Sequence, residues 1–224
     1  MSQPIPSPRA PAVRGVIFDI GNVLIRLRPI EAAVKAVASR TLPGKPGLGR
    51  EAAGWFPPQD PLLALRSDPV CDRFERGLAT EKEFYEGLRR AFGIGLPDDA
   101  IRSAYDGILG EPMPGMADLI GELRGRRIRV VGLTDISPRH LSMIDRYPAV
   151  RALERVVASC ATGFRKPEAG AYRAALEAAG TVPDETLFVD DQPGNVNGAR
   201  SLGLQALVFS GAEAIREYLG VPGR

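Results

Sequence analysis

The sequence predicts an α/β fold: a parallel sheet whose strands alternate with helices, interrupted by a helical insert. Two observations predict the sheet. Short β-branched runs close on polar or glycine residues at Val13–Asp19, Ile128–Thr134, Val156–Ser159, Leu187–Asp190 and Ala206–Phe209, and the gaps between the later runs have the length and periodicity of helices. A third observation predicts the insert. From about Arg26 to Pro112 no buried strand is legible, and helical candidates follow one another instead.

Each element has its own warrant. In the sheet region the periodicity places helices over Gly115–Leu123, Pro138–Arg146, Pro167–Ala179, Pro193–Leu202 and Ala212–Leu219. Pro138, Pro167 and Pro193 fall at expected first turns, where a missing N–H costs nothing. In the insert the candidates are Ile30–Arg40, Val70–Glu75, Glu81–Phe92 and Asp98–Ile108, and Leu42–Pro61, dense in Gly and Pro, reads as a long irregular connection. Gly44-Lys45 lies there without a preceding strand or a following Ser or Thr, so it reads as loop and not as a phosphate-binding turn. Residues 1–12, with Pro4, Pro6, Pro8 and Pro11, read as a flexible leader without the apolar core of a signal peptide. The expected organisation is therefore a leader (1–12), a core (13–25 and 113–224) and the insert (26–112).

Composition excludes several functions. The 224 residues are 44% hydrophobic and carry a formal net charge of +2, with arginines scattered, which argues against nucleic acid as a partner. Arg124, Arg126, Arg127 and Arg129 form the densest basic spot, expected as a solvated turn at a helix C-terminus. No stretch has the length and apolarity of a membrane span. The two cysteines, Cys71 and Cys160, form no metal or disulfide pattern, which fits a reducing cytoplasm.

In an open parallel sheet, ligands bind beyond the carboxyl ends of the strands. Four polar signals fall at such ends: Asp19, Thr134, Lys166, and Asp190 with Asp191. Each has a plain structural role open to it. Asp19 can close a turn through Gly21 and Asn22, Thr134 can end a strand, Lys166 can be solvated, and the acid pair can cap the helix near Pro193. Together, two carboxylate sites, a hydroxyl and an ammonium suit a phosphate and a divalent cation, and adjacent aspartates call for such a cation to offset their repulsion unless one of them points to solvent. His140 has no evident partner in sequence and reads as structural. Trp55, Phe56, Phe74 and Tyr105 read as pocket or core, aromatics on amphipathic helices being more often core.

In this order, FDIGNVL, VVGLTD, GFRKPEAGAY and FVDDQPGN resemble the four motifs of the haloacid dehalogenase-like hydrolase superfamily, and FERGLATEKEFYEGL resembles a segment of its helical caps. The resemblance implies a Rossmann-like sheet in strand order 3-2-1-4-5 with the insert as cap. It further implies Mg²⁺-dependent hydrolysis of a small phosphorylated metabolite through an aspartyl-phosphate. In that scheme Asp19 is the nucleophile, and Thr134, Asp135 and Lys166 hold the phosphate. Mg²⁺ sits on Asp19, the Gly21 carbonyl and Asp191, with Asp190 and Asn195 orienting its waters. The DxGNV form of the first motif is similar to that of sugar-phosphate phosphatases of the α-D-glucose-1-phosphate phosphatase kind. Two positions depart from the pattern. Gly21 replaces a second aspartate that protonates the leaving group, and its absence should slow substrates with poor leaving groups most. Asp135 stands where a neutral residue is usual, as a replacement acid or as a cap of the helix near Pro138. The alternatives are a weakly catalytic phospho-ligand-binding protein, favoured by Gly21, and a metal-independent dehalogenase, disfavoured by the acid pair.

Overall fold

A computed structural model describes residues 12–41, 69–92 and 95–221. The residues before Ala12, and Gly44, Lys45, Trp55 and Phe56 within the expected connection 42–61, lie outside the described residues.

Five strands form a parallel sheet: β1 (Gly15–Phe18), β4 (Arg129–Thr134), β5 (Arg155–Ala158), β6 (Thr186–Asp190) and β7 (Gln205–Val208), ordered β5-β4-β1-β6-β7. In order of appearance this is the 3-2-1-4-5 arrangement. The strands are mostly apolar because both faces are covered, with Arg129, Arg155 and Gln205 at strand starts. One face, with Val16, Phe18, Val130 and Val189, packs beneath α5 (Met116–Gly125) and α11 (Ala212–Leu219). The other, with Ile17, Val131 and Phe188, packs beneath α9 (Ala169–Ala179) and α10 (Pro193–Ser201). The chain runs outward from β1 through β4 to β5, then returns to β6 on the other side. The order therefore reverses beside β1, and the strand ends diverge there into a crevice.

Among its described residues the insert has α1 (Ile30–Thr41), α2 (Pro69–Glu75), α3 (Glu81–Phe92) and α4 (Asp98–Asp106). These helices close around a core of their own, in which Phe74 stacks on Phe84 with ring centroids 4.4 Å apart and Tyr85, Leu88, Ile101 and Tyr105 complete the packing. Phe74 and Tyr105 are thus core residues. Thr80 and Glu83 start α3 as a reciprocal cap: the Glu83 N–H donates to Thr80 Oγ1 (3.2 Å) and the Thr80 N–H to Glu83 Oε2 (2.8 Å).

Several sequence expectations need correction. The roots of the insert pair as a short antiparallel ribbon, β2 (Ile25–Leu27) with β3 (Leu109–Pro112), where no strand was expected. The segment expected as one helix over Pro138–Arg146 divides into α6 (Pro138–Leu141) and a 3₁₀ turn at Ile144–Arg146, followed by α7 (Pro148–Arg151). Between β5 and α9 lies one further short helix, α8 (Ser159–Thr162). Helix α9 begins at Ala169 with Glu168 as its N-cap, so Pro167 precedes the helix and does not open it. Among the described residues no helix is long and apolar enough to cross a membrane.

The insert is joined to the sheet domain by buried contacts. Tyr105 donates its hydroxyl to Ser137 Oγ (2.9 Å), and its ring stacks on His140 at 3.9 Å. His140 Nε2 lies 2.9 Å from the Tyr105 carbonyl, an acceptor, so that nitrogen carries the proton. Burial pushes the His140 pKa down to about 4, keeping the ring neutral. The partner that the sequence did not reveal is thus an aromatic residue of the insert.

Candidate active site

Asp19 follows β1 at the reversal point, its backbone N–H donating to the Val189 carbonyl (2.8 Å), so that its side chain is fixed between the ends of β4 and β6. Asp19 is 7% exposed. Lys166, from the loop before α9, places Nζ 2.6 Å from Asp19 Oδ1, 2.9 Å from Asp190 Oδ2 and 3.3 Å from the Leu133 carbonyl. A buried ammonium needs partners of this kind, since an unpaired one would lose its proton. Burial works against the charge on Lys166, but Asp19, Asp190 and Asp135 outweigh it and raise its pKa. For Asp19 burial dominates. It lifts the carboxyl to about 7, Asp190 adding to the rise and Lys166 opposing it.

The two adjacent aspartates are placed differently. Asp190, fully buried at the end of β6, accepts from Lys166, from Asn195 Nδ2 (3.1 and 3.0 Å to its two oxygens) and from the Gln192 N–H (2.7 Å). Helix α10 has Gln192 as N-cap residue without a side-chain cap bond, so the acid pair does not cap it in the usual way. Asp191 is partly exposed, and its Oδ2 accepts from Asn22 Nδ2 (3.1 Å) and Gln192 Nε2 (3.0 Å). Asn22 adopts a left-handed conformation (φ 56°), and its Oδ1 accepts from the Leu27 N–H (3.1 Å). Asn22 and Gln192 were not foreseen as site residues. The signal in sequence is an Asn directly after a Gly at a strand end, which fits a tight left-handed turn.

One oxygen from each of Asp19, Asp190 and Asp191 can be chosen so that all three lie within 4.8 Å of one another. An all-oxygen set of this charge fits a hard divalent cation. Since Asp190 is already bonded to Lys166, Asn195 and Gln192, the carboxylates with most capacity left are Asp19 and Asp191.

Thr134 is buried at the carboxyl end of β4, beside Ala158 of β5. Asp135 follows it and does not cap the next helix: the N-cap of α6 is Ser137, whose Oγ accepts the His140 N–H (3.2 Å). Asp135 Oδ1 instead accepts the backbone N–H of Lys166 (3.1 Å), and Oδ2 lies 3.7 Å from Arg165 Nε. Burial raises the Asp135 pKa, while Lys166 and Arg165 act against the rise. Arg165, also unforeseen, reaches the insert, with its guanidinium 2.9 Å from Asp72 Oδ1 and 2.6 Å from Glu75 Oε2.

At Gly21 the backbone does not require glycine. An added Cβ would lie 4.0 Å from Asp19 Oδ2 and 2.9 Å from Leu27 Cδ1, so the apolar Leu27 side chain covers the place where an acid would stand.

The crevice thus brings a buried carboxylate held by an ammonium together with further carboxylates able to take a cation, at the switch point of a 3-2-1-4-5 sheet. A sequence model of the haloacid dehalogenase-like hydrolases matches residues 13–203. The chain belongs to that family. It is 28% identical over 197 residues to the sesquiterpene phosphatase astK of Aspergillus oryzae, covering 87% of this chain and 88% of the relative. It is 27% identical over 167 residues to a chloroplast flavin mononucleotide hydrolase of Arabidopsis thaliana, covering 72% of this chain and 65% of that one. In fold it is similar to a haloacid dehalogenase-like enzyme of Bacteroides thetaiotaomicron solved with magnesium and inorganic phosphate. There the TM-score is 0.66 at 24% identity, covering 89% of this chain and 96% of the other. The chain is therefore a hydrolase of the haloacid dehalogenase-like family.

Proposed function

We propose that this hydrolase is a Mg²⁺-dependent phosphatase of a small organic phosphate, working through an aspartyl-phosphate on Asp19. The observation that carries the reading is Lys166 Nζ bridging Asp19 and Asp190 inside a cluster of three carboxylates. That arrangement holds one carboxylate oxygen in place while an ammonium stands ready for the charge of an incoming phosphoryl group. The relatives named as a sesquiterpene phosphatase and a flavin mononucleotide hydrolase support phosphate release as the reaction.

In this scheme an Asp19 oxygen attacks phosphorus, the O–P bond to Asp19 forms, and the bond from phosphorus to the leaving oxygen breaks. Water then attacks the aspartyl-phosphate, freeing phosphate and restoring Asp19. Lys166 offsets the charge on the phosphoryl oxygens, and Thr134 donates its hydroxyl to one of them. Asp19, the Gly21 carbonyl and Asp191 would hold Mg²⁺, while Asp190 and Asn195 order its surroundings. When bound, the cation supplies charge neutralisation for the phosphate and favours the ionised form of Asp19.

The substrate follows from what is missing. With Leu27 over Gly21, no side chain at that position donates a proton to the leaving oxygen. The site therefore suits leaving groups that depart readily as anions, among them aryl oxides and the hemiacetal oxides of anomeric sugar phosphates, over simple alkyl phosphates. The helical insert acts as the cap that selects among them, and the free cysteines suit a reducing cytoplasm.

The test is Mg²⁺-dependent phosphate release from an aryl phosphate, a sugar 1-phosphate, flavin mononucleotide and an isoprenoid phosphate, with Asp19→Asn as control. Turnover that needs Mg²⁺ and vanishes in Asp19→Asn is expected. Turnover surviving in that variant would contradict the mechanism. Binding of phosphate without release would favour the phospho-ligand-binding alternative, which Gly21 supports. Halide release in the presence of a chelator would favour dehalogenation.

A further inference from the structure

The loop that carries Lys166 is gripped from two sides. On the insert side, Arg165 lies between Asp72 and Glu75 of α2. Arg76 from the same region lies 2.8 Å from Asp72 Oδ2, donates to the Gly163 carbonyl (2.7 Å), and also pairs with Glu168. On the sheet side, Asp135 accepts the Lys166 N–H and faces Arg165 Nε, a buried nitrogen without a hydrogen bond among the described residues. Residues 165, 166 and 168 are therefore all held, and the middle one presents the ammonium to Asp19.

Asp135 is thus engaged with the Lys166 peptide, and its other oxygen is turned to an arginine. We propose that Asp135 is a positioning residue: it fixes the Lys166 peptide so that Nζ stands against Asp19, while Arg165 and the insert hold the same loop from the other side. The proposal rests on the phosphatase reading for its kinetic consequences, although its geometric content does not. Removing the acceptor lets the Lys166 backbone drift, and a displacement of about 1 Å at a catalytic group costs about 10²-fold in rate.

The test compares Asp135→Ala with Asp135→Asn, whose amide oxygen still accepts the Lys166 N–H. Asp135→Ala is expected to lower kcat about 10- to 100-fold on aryl and alkyl phosphates alike, and Asp135→Asn to stay within about threefold of wild type. In a Lys166→Met background, adding Asp135→Ala should cost less than about twofold, because the residue it positions is gone. A merely structural role would instead give additive losses. A crystal structure of Asp135→Ala reads the geometry without turnover, with Lys166 Nζ expected to leave Asp19 Oδ1. If Asp135→Ala does not fold, Asp135→Leu fills the same space without an acceptor. The proposal is overturned by damage to Asp135→Asn equal to that of Asp135→Ala, by additivity with Lys166→Met, or by an unmoved Nζ in the crystal. Absence of phosphate release from wild type would overturn the phosphatase reading alone, and the crystal structure would still decide the role of Asp135.

Discussion

The two ends of the five-stranded sheet handle charge in opposite ways. At the carboxyl end, Asp19 and Asp190 are buried and both accept from the buried Lys166 ammonium. At the amino end, a cavity of about 630 Å³ is lined by Arg14, Arg126, Arg127 and Arg129 with Glu185. Its charges are wet: the Arg14 side chain is 72% exposed in its 3.5 Å pair with Glu185, and such pairs contribute about 0–1 kcal/mol. Helices α5 and α9 both end there, at Gly125 and Ala179, so arginines complement their carbonyl ends. The two ends thus differ in how charge is held: charges buried against their desolvation cost persist only where partners fix their geometry, as Lys166 does between Asp19 and Asp190.

Changes at the two ends should therefore differ in size by orders of magnitude. Lys166→Met removes the cation between two buried carboxylates, and steady-state kinetics should show a loss of about 10²–10³-fold in kcat. A loss under tenfold would mean that burial there is structural. Gly21→Asp adds an acid beside Asp19, provided that the flexible Leu27 side chain shifts. Turnover of alkyl phosphates should rise by about 10²-fold with little change for aryl phosphates, and equal effects on both would disprove the leaving-group argument. The Asp19 carboxyl, lifted to about 7 by burial, must be ionised to attack. Activity at limiting Mg²⁺ should thus rise as pH climbs through about 7, and more Mg²⁺ should move that rise to lower pH, since the cation favours the carboxylate. A pH–rate profile indifferent to Mg²⁺ would detach Asp19 from the metal. The smallest effect belongs to the amino end, where Arg126→Ala with Arg127→Ala should leave kcat/KM within about twofold.

Much of the carboxyl end was legible in the sequence because strand ends announce themselves. Phe18, Thr134 and Asp190 close apolar runs, and whatever follows such a run at a parallel-sheet edge opens into the crevice. Cross-chain contacts were not legible. Arg165 looks like any loop arginine until α2 is folded over it, and His140 acquires a partner only when Tyr105 of the insert stacks on it. The β2–β3 ribbon is not legible in the sequence because three residues and the segment LGEP carry no periodicity. Pro167 looked like a helix opener, yet α9 starts two residues later, where Glu168 accepts the Arg165 N–H (3.2 Å) and pairs with Arg76. In each case the missing information was a partner distant in sequence, which local pattern does not encode.

The central claim is that Asp19 becomes phosphorylated. The most direct measurement quenches wild-type protein during turnover of an aryl phosphate with Mg²⁺, reduces it with borohydride and maps its peptides by tandem mass spectrometry. An acyl phosphate is reduced to the alcohol, so homoserine should appear at position 19, only when substrate and Mg²⁺ are both present. Full turnover with residue 19 left unmodified, or reduction at Asp190, Asp191 or Asp135 instead, would contradict the account.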